Sequence, residues 1–437
     1  MGKPLSLRAL YSRESARIRK EFDQTTDGFT AASQRSALVD KVALRLWQET
    51  IAGDAVVERG ICLAARGGYG RGLLLPHSDL DLLFLSDDPG LLNRAKDAIG
   101  RMCQQMWDLG LRVAPTARTL AGCAEFDSNN LELTLSLLEC RHLAGDDQLF
   151  RQLYDETIPK VVRRSWDELV ETLVELTRRR HAKYANTVFH LEPNVKECPG
   201  GLRDANIAGW LATLVSVKKG GSLRPDAAVR NDRQAAVAFL ISTRCFLHYL
   251  YERDDNVLRW EAQDAAAVKG IGVGGHPFDS TAEWTRHFFR HARPINRWTN
   301  QLLDEVAAER SSLYRQFLSW RSRVSNRDFA VTGGRVYLQE SSGAADPDLL
   351  LRLFEFLAHH GFKLAADTQS RIEKALPALS FPTGSELWSH LRGILTSQHA
   401  ADALRDMHAV GILDAIIPEF RLIDSLIIRD FYHRYTV

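Results

Sequence analysis

Residues 66–85 read RGGYGRGLLLPHSDLDLLFL, and this stretch decides the fold. The pair Gly67-Gly68 follows a short apolar run, a pattern typical of a buried strand that enters a tight turn. Asp79 and Asp81 open a second apolar run, and residues two apart in a strand point to the same face of a sheet. We therefore predict that the two carboxylates lie together, beside a turn whose backbone N–H groups suit phosphate oxygens.

An acid pair of this kind predicts a metal ion. Two carboxylates held side by side repel each other unless a cation lies between them, and Mg²⁺ is a hard ion that prefers oxygen ligands. Such an ion orients a triphosphate during in-line phosphoryl transfer. Asp-x-Asp alone is more typical of a solvated strand end, so the prediction depends on the glycine pair and on the aliphatic run that follows. It makes Asp79 and Asp81 the catalytic and metal-binding residues.

The remaining chain divides by its hydrophobic pattern into four predicted segments. Residues 1–40 predict an N-terminal helical segment, and residues 41–145 mix short strands with one long helix. Residues 146–320 and 321–437 are dominated by long amphipathic stretches with helical spacing. The expected fold class is α+β, with a small mixed sheet followed by a mainly helical region.

Composition excludes several classes of protein. The 437 residues carry 56 Lys and Arg against 55 Asp and Glu, a net charge of +1, and 45% are hydrophobic, so a folded chain rather than a disordered one is expected. The near-zero charge argues against a dedicated nucleic-acid binder, and no apolar run is long enough to predict a membrane span. The six cysteines form no C-x-x-C pair, which favours reduced thiols and a cytoplasmic protein.

Several motifs together resemble a known family. The glycine pair, a short spacer and Asp-x-Asp resemble the DNA polymerase β-type nucleotidyltransferase superfamily, and GGYGRG with PHSDLDLL is similar to the protein-PII uridylyltransferase family. Residues 191–204, LEPNVKECPGGLRD, resemble a long segment of that family. Residues 253–258 resemble another segment loosely, residues 288–293, FFRHAR, match a third, and residues 431–437, FYHRYTV, resemble the segment that precedes its HD domain.

The resemblance implies an activity and a set of site residues. It implies transfer of UMP from UTP to a tyrosine of a PII nitrogen-regulatory protein, with Mg²⁺ as cofactor. The sequence has no His-Asp dipeptide, so residues 321–437 are expected to lead to an HD domain that this chain lacks. The implied nucleotide-binding residues are Gly67, Gly68, Arg71, Ser78, Lys196 and Arg203.

Two of these assignments leave alternatives open. Arg71 is either a phosphate partner, since a guanidinium fork matches phosphate geometry, or a solvated loop residue. Lys196 and Arg203 either face the nucleotide or belong to an interdomain brace in which Arg203 pairs with Asp204. The basic cluster at residues 178–183 is either a solvated face or an attractor for the triphosphate or an acidic partner.

The chain also departs from the family pattern. Leu73 stands where the family has Glu, and Arg112 replaces an acid on the expected third strand, residues 111–113. The superfamily generally uses a third carboxylate there, and Asp108 is a nearby candidate. Two alternatives therefore stay open: a related nucleotidyltransferase with another triphosphate or acceptor, and a degenerate nucleotide-sensing module without catalysis.

Overall fold

The structure is a computed structural model that describes residues 6–223, 231–310, 328–332, 334–338, 346–424 and 435. It divides into two compact units, Met1–Leu303 with Arg429–Tyr435, and Asp304–Ile428 with Thr436–Val437. The motif at residues 431–437 lies outside the described residues except for Tyr435. No helix in the described ranges is long and apolar enough to cross a membrane.

The first unit begins with two long helices, α1 (Leu7–Thr25) and α2 (Gly28–Thr50). Each starts at a capping side chain: Ser6 accepts the N–H of Ala9, and Asp27 accepts that of Thr30. Helix α2 buries one face, which includes Leu46 and the fully enclosed Trp47, against the sheet that follows.

The sheet has four strands in the order β3-β2-β1-β4. Strand β2 pairs antiparallel with β1 and parallel with β3, and β4 pairs antiparallel with β1. Strand β2 is central, so all of its residues except Asp81 are buried, and its apolar run is continuous rather than alternating. The strands are β1 (Cys62–Ala65), β2 (Leu80–Ser86), β3 (Val113–Thr119) and β4 (Arg141–Gly145).

Strand β3 is longer than the sequence predicts. The expected strand covered residues 111–113, whereas the structure pairs Val113 through Thr119 with the whole of β2. The segment contains Pro115, which cannot donate to a ladder and lowers its strand propensity. Because β3 is at the edge of the sheet, the proline is tolerated and parallel pairing determines the strand.

Helices fill the rest of the first unit. Helix α5 (Pro89–Asp108) connects β2 to β3 and packs Met102 and Met106 on the sheet. The expected α+β class, a small mixed sheet followed by a mainly helical region, is confirmed. The other described α-helices are α3 (Ala55–Gly60), α4 (Gly67–Gly70), α6 (Leu120–Cys123), α7 (Leu131–Leu137), α8 (Asp147–Arg151), α9 (Ile158–Arg164), α10 (Trp166–Lys183), α11 (Leu202–Lys218), α12 (Asn231–Tyr251), α13 (Trp260–Lys269) and α14 (Thr281–Arg310), the last of which ends beyond the unit boundary at Leu303.

Two irregular segments of the helical region hold each other in place. Val195 donates its N–H to the Asn256 carbonyl at 2.8 Å, and Leu258 donates to the Pro193 carbonyl at 2.9 Å. The buried Gln263 amide donates to the carbonyls of Leu191 and Leu258. The segment 191–204, singled out by sequence, is therefore pinned to the segment at residues 253–258.

The second unit has its own core. Its sheet has the order β5-β6-β7, with β5 (Phe329–Thr332), β6 (Arg335–Leu338) and β7 (Lys363–Leu364). Buried side chains such as Leu350 and Phe354 pack against it. Its described helices are α15 (Pro347–His360), α16 (Ala366–Ala375), α17 (Gly384–Leu395), α18 (Ala400–Ala409), α19 (Ile412–Ile416) and α20 (Phe420–Ile423).

Gly145, at the end of β4 in the first unit, provides a test of how closely β4 packs against the backbone that precedes β1. Its φ is +79°, and a Cβ there would lie 2.1 Å from the Ile61 carbonyl oxygen. We expect Gly145→Ala to lower the free energy of unfolding by about 3 kcal/mol, since left-handed strain and overpacking add. Gly100 in α5 is the matched control: nothing lies near its Cβ position, so Gly100→Ala should stabilise by about 0.5–1 kcal/mol. Equal unfolding midpoints in urea for the two variants would contradict this packing.

Candidate active site

The predicted site residues all lie along one cleft of the first unit. The cleft has a volume of about 1940 Å³. The sheet domain contributes one wall and the helical region the other, through residues far apart in sequence. The lining includes Gly67, Gly68, Arg71, Ser78, Asp79, Asp81, Lys196 and Arg203.

The glycine turn is a single turn of helix, α4. Gly67 has φ +55°, and a Cβ there would lie 3.1 Å from Asp81 Oδ2. Glycine therefore keeps open the space in front of that carboxylate. Leu73, which stands where the family has Glu, donates its N–H to the Gly68 carbonyl at 3.0 Å and lines the cleft. Ser78 also lines the cleft, and its N–H donates to the Leu75 carbonyl at 3.2 Å.

The acid pair has the donor chemistry of a hard cation site. Asp81 is within β2 and Asp79 immediately precedes the strand, with about half of its side chain exposed. Burial raises the pKa of Asp81, the Asp79 charge raises it further, and Arg66 offsets part of both effects. A divalent cation held by Asp79 and Asp81 would relieve this unfavourable charge. Within the described ranges, no three His, Cys, Asp or Glu side chains converge on a position that could hold a metal ion, either at the acid pair or away from it.

The guanidinium of Arg112, a positive charge, lies where the sequence leads us to expect a third acid. Arg112 Nη2 lies 2.9 Å from Asp79 Oδ1, and its Nη1 donates to the His77 carbonyl at 3.2 Å. Asp108, the alternative acid, ends α5, accepts a bond from Gln104 at 3.0 Å and does not line the cleft. Asp108 thus lies at a helix end, as the sequence indicated, and outside the cleft that the acid pair lines, so it is not supported as the third acid.

Sequence reasoning missed two charged residues beside Asp81. Arg66 is buried and donates to Ser136 Oγ at 2.9 Å and Thr116 Oγ1 at 2.8 Å. Glu132 lines the cleft and is close enough to raise the pKa of Asp81. Arg66 could have been suspected because it directly precedes the glycine pair. Glu132 gives no such signal, since only the fold brings α7 to the acids.

Arg71 is an exposed turn residue whose side chain is nevertheless paired. Its Nη1 is hydrogen bonded to a carboxylate oxygen of Glu139 in the cleft wall. Burial raises the pKa of Glu139, and the adjacent Arg71 charge counteracts that rise. The guanidinium is thereby fixed at the cleft, and its contact with a phosphate stays a prediction.

The helical wall carries a group of cations. Burial lowers the pKa of Lys196, and the nearby charges of Arg244 and Arg203 lower it further. Arg180 and Lys183 from the basic cluster line the same cleft, whereas Arg179 pairs with Glu175 outside its lining. In that cluster Arg178, Arg179 and Lys183 are exposed, as the solvated-face interpretation expects, whereas Arg180 is part-buried and His181 is buried.

The brace interpretation, in which Arg203 pairs with Asp204, is not what the structure shows. Arg203 Nη2 lies 3.3 Å from Glu197 Oε1. Asp204 is fully buried and accepts bonds from Arg180, from His181 Nε2 at 2.8 Å and from the Gly200 N–H at 2.8 Å. Asp204 thus shapes the Pro-Gly-Gly turn, while Arg203 lines the cleft.

We expect Asp204→Asn to lower the free energy of unfolding by about 3–5 kcal/mol, because it removes the fully buried carboxylate that pairs with Arg180 and leaves that guanidinium only a 4.0 Å contact with the Glu197 carboxylate as an ion pair. Burial opposes ionisation of Asp204, yet His181 and Arg180 bring its pKa below the ordinary value. The stabilisation is accordingly full above that ordinary pKa and is lost as the pH falls below it. Urea unfolding at neutral and acidic pH measures both effects. Asp97→Asn, at an exposed position of α5, is the control and should change little; an equal loss in the two variants would refute the role of Asp204.

These features define a class of protein. A mixed sheet with a glycine turn and an acid pair, joined to helices that supply cations to the same cleft, is the architecture of an α+β nucleotidyltransferase domain followed by a helical region. Residues 168–303 match the family model described as GlnD PII-uridylyltransferase. Beyond that range, nearly the whole chain is similar in sequence to proteins named as uridylyltransferases, of which three are described next.

The three relatives are each named bifunctional uridylyltransferase/uridylyl-removing enzyme. The protein of Methylococcus capsulatus is 30% identical over 98% of this chain and 49% of its own length. That of Rhodospirillum rubrum is 28% identical over 96% of this chain and 47% of its own length. That of Haemophilus influenzae is 27% identical over 94% of this chain and 48% of its own length. The chain spans about half the length of the curated relatives it matches.

Proposed function

We propose that the chain is a magnesium-dependent uridylyltransferase that moves UMP from UTP to a tyrosine hydroxyl of a PII signal protein and releases pyrophosphate. The observation that carries the proposal is the convergence of the acid pair, the glycine turn and the cations of segment 191–204 on one cleft. The names of the relatives support a uridylyl donor, hence UTP, and the description of the matching family model supports PII.

The residues of the cleft suit a triphosphate. The Gly67-Gly68 turn leaves backbone space in front of the acids, and Lys196 and Arg203 supply positive charge from the opposite wall. Asp79 and Asp81 would hold Mg²⁺, which, when bound, neutralises charge on the triphosphate. Fixed charges in a partly enclosed cleft stabilise the developing negative charge more than the same groups would in water.

The size of the cleft favours a second, larger substrate. Sites for small molecules usually enclose about 300–1,000 Å³, and this cleft has about 1940 Å³. The additional space suits a polypeptide loop that brings a hydroxyl to the α-phosphate. A protein acceptor fits this geometry better than a small one.

Incubation with purified PII, α-labelled UTP and Mg²⁺ tests the proposal. We expect the label on PII, on a tyrosine identified by mass spectrometry, and no label when the divalent ion is chelated. A panel of ATP, GTP, CTP and UTP tests the base. Label on another acceptor, or from another triphosphate alone, would replace this function with that of a related nucleotidyltransferase.

A non-catalytic nucleotide-sensing module is the second candidate, favoured by the ion pair between Arg112 and Asp79. It predicts that triphosphate binds and that no pyrophosphate is released. Binding and release measured on the same sample separate the two functions.

A further inference from the structure

His248 connects the loop that carries the acids to the helical region. It lies in α12 and is fully buried. Its Nδ1 accepts the backbone N–H of His77 at 3.2 Å, and its Nε2 lies 2.9 Å from Asp254 Oδ1. Because Nδ1 acts as an acceptor, the proton of the neutral ring is on Nε2, the nitrogen that lies near Asp254, which defines one neutral tautomer. Burial also lowers the pKa of His248, in keeping with a neutral ring.

The other side of the same loop is held by the sheet. The His77 carbonyl accepts a bond from Arg112 Nη1, and the Leu80 N–H donates to the Arg112 carbonyl at 2.8 Å. Both the N–H and the carbonyl of His77 are therefore held. His248 in α12 holds the N–H, and Arg112, which precedes β3, holds the carbonyl. Asp79 follows two residues later, so a shift of His77 displaces its carboxylate.

Asp254 extends the connection to the cations. It accepts bonds from Arg244 Nη2 and Asn256 Nδ2, each at 3.0 Å. The Asn256 carbonyl in turn accepts the Val195 N–H at 2.8 Å, next to Lys196. A set of hydrogen bonds, together with the 2.9 Å contact between His248 Nε2 and Asp254, thus connects the loop of Asp79 to the segment of Lys196.

We propose that His248 is a positioning residue that, together with Asp254, holds the acid loop in register with the cationic wall. His248 touches neither Asp79 nor Asp81 and has no role in proton transfer. Its effect on turnover rests on the proposed function, whereas its tautomer and its contacts do not.

Two variants separate positioning from simple packing. An Asn side chain places its oxygen near the Nδ1 position, so His248→Asn keeps the acceptor for the His77 N–H. His248→Gln reaches the Nε2 position and keeps the contact with Asp254 but loses that acceptor. We expect His248→Gln to lower kcat about 10²-fold with a smaller change in KM for UTP, since misplacement of about 1 Å has this cost. The loss in His248→Asn should be about tenfold smaller, and His276→Gln, at an exposed position, is the control.

Equal losses of kcat in the Asn and Gln variants, or a wild-type kcat in His248→Gln, would overturn the proposal. The ring of His248 gives a second readout that needs neither activity nor a folded variant. In ¹⁵N-histidine-labelled wild-type protein we expect a neutral ring with its proton on Nε2 between pH 6 and 8. A proton on Nδ1 or a charged ring would also overturn it. If the wild-type chain transfers no nucleotide, the proposed function fails and the ring spectrum alone decides the role of His248.

Discussion

Asp81→Asn should lower the rate of nucleotidyl transfer on the order of 10³-fold, and the double variant with Asp79→Asn should show no transfer above background. Asparagine keeps the shape of the side chain but removes the charge that a hard divalent ion requires. Loss of one preorganised electrostatic group typically costs about 10²–10³-fold. The measurement is the initial rate of label transfer from α-labelled UTP to PII.

Asp108→Asn is the matched control for these variants. Asp108 lies outside the cleft and pairs with Gln104, so its replacement should leave the rate within a factor of about two. Circular dichroism should show the same helical content in all variants. Full activity of the double variant would contradict the assignment of the acids.

Replacement of Arg112 should strengthen binding of the divalent ion about tenfold for each unit of charge changed. Two unit charges 4 Å apart in water interact by about 1 kcal/mol. The positive charge of Arg112 beside a divalent ion should therefore weaken binding of that ion by about 2 kcal/mol before salt screens it. Arg112→Gln removes one positive charge next to Asp79, and Arg112→Glu adds a carboxylate as well. Calorimetric titration with Mg²⁺ or Mn²⁺ measures the effect without any need for turnover.

Arg101→Gln, at an exposed position of α5, is the control for net charge and should not alter ion affinity. Unchanged or weaker affinity in both Arg112 variants would show that Arg112 does not compete with the ion. A gain in affinity with a gain in transfer rate would indicate that Arg112 limits the enzyme, whereas a gain in affinity without transfer favours the sensing module.

The sequence was most informative where the interaction is local. The turn at Gly67 and the position of Asp81 in β2 follow from the local pattern, whereas Asp79 lies just before the strand, and a shared face for the two carboxylates stays a prediction. The apolar run after the acids likewise predicts a buried strand, and β2 is that strand.

Contacts between distant segments could not be predicted in the same way. The pairing of Arg112 with Asp79 depends on the register between β2 and β3, which the Ala-Pro-Thr sequence of β3 does not suggest. The partner of Asp204 is Arg180 rather than its neighbour Arg203, because α10 delivers a buried guanidinium that no local pattern reveals. His248 is equally silent in sequence, as a histidine on a buried helix face is more often a packing residue than a brace.

The most direct test of the account is the stoichiometry of pyrophosphate release and nucleotide attachment on the wild-type chain. UTP labelled at the α-phosphate, Mg²⁺ and PII are incubated with the protein, and both products are counted in the same sample. The proposed function predicts one pyrophosphate for each UMP attached to a PII tyrosine. Binding of UTP to the cleft with neither product formed would contradict it.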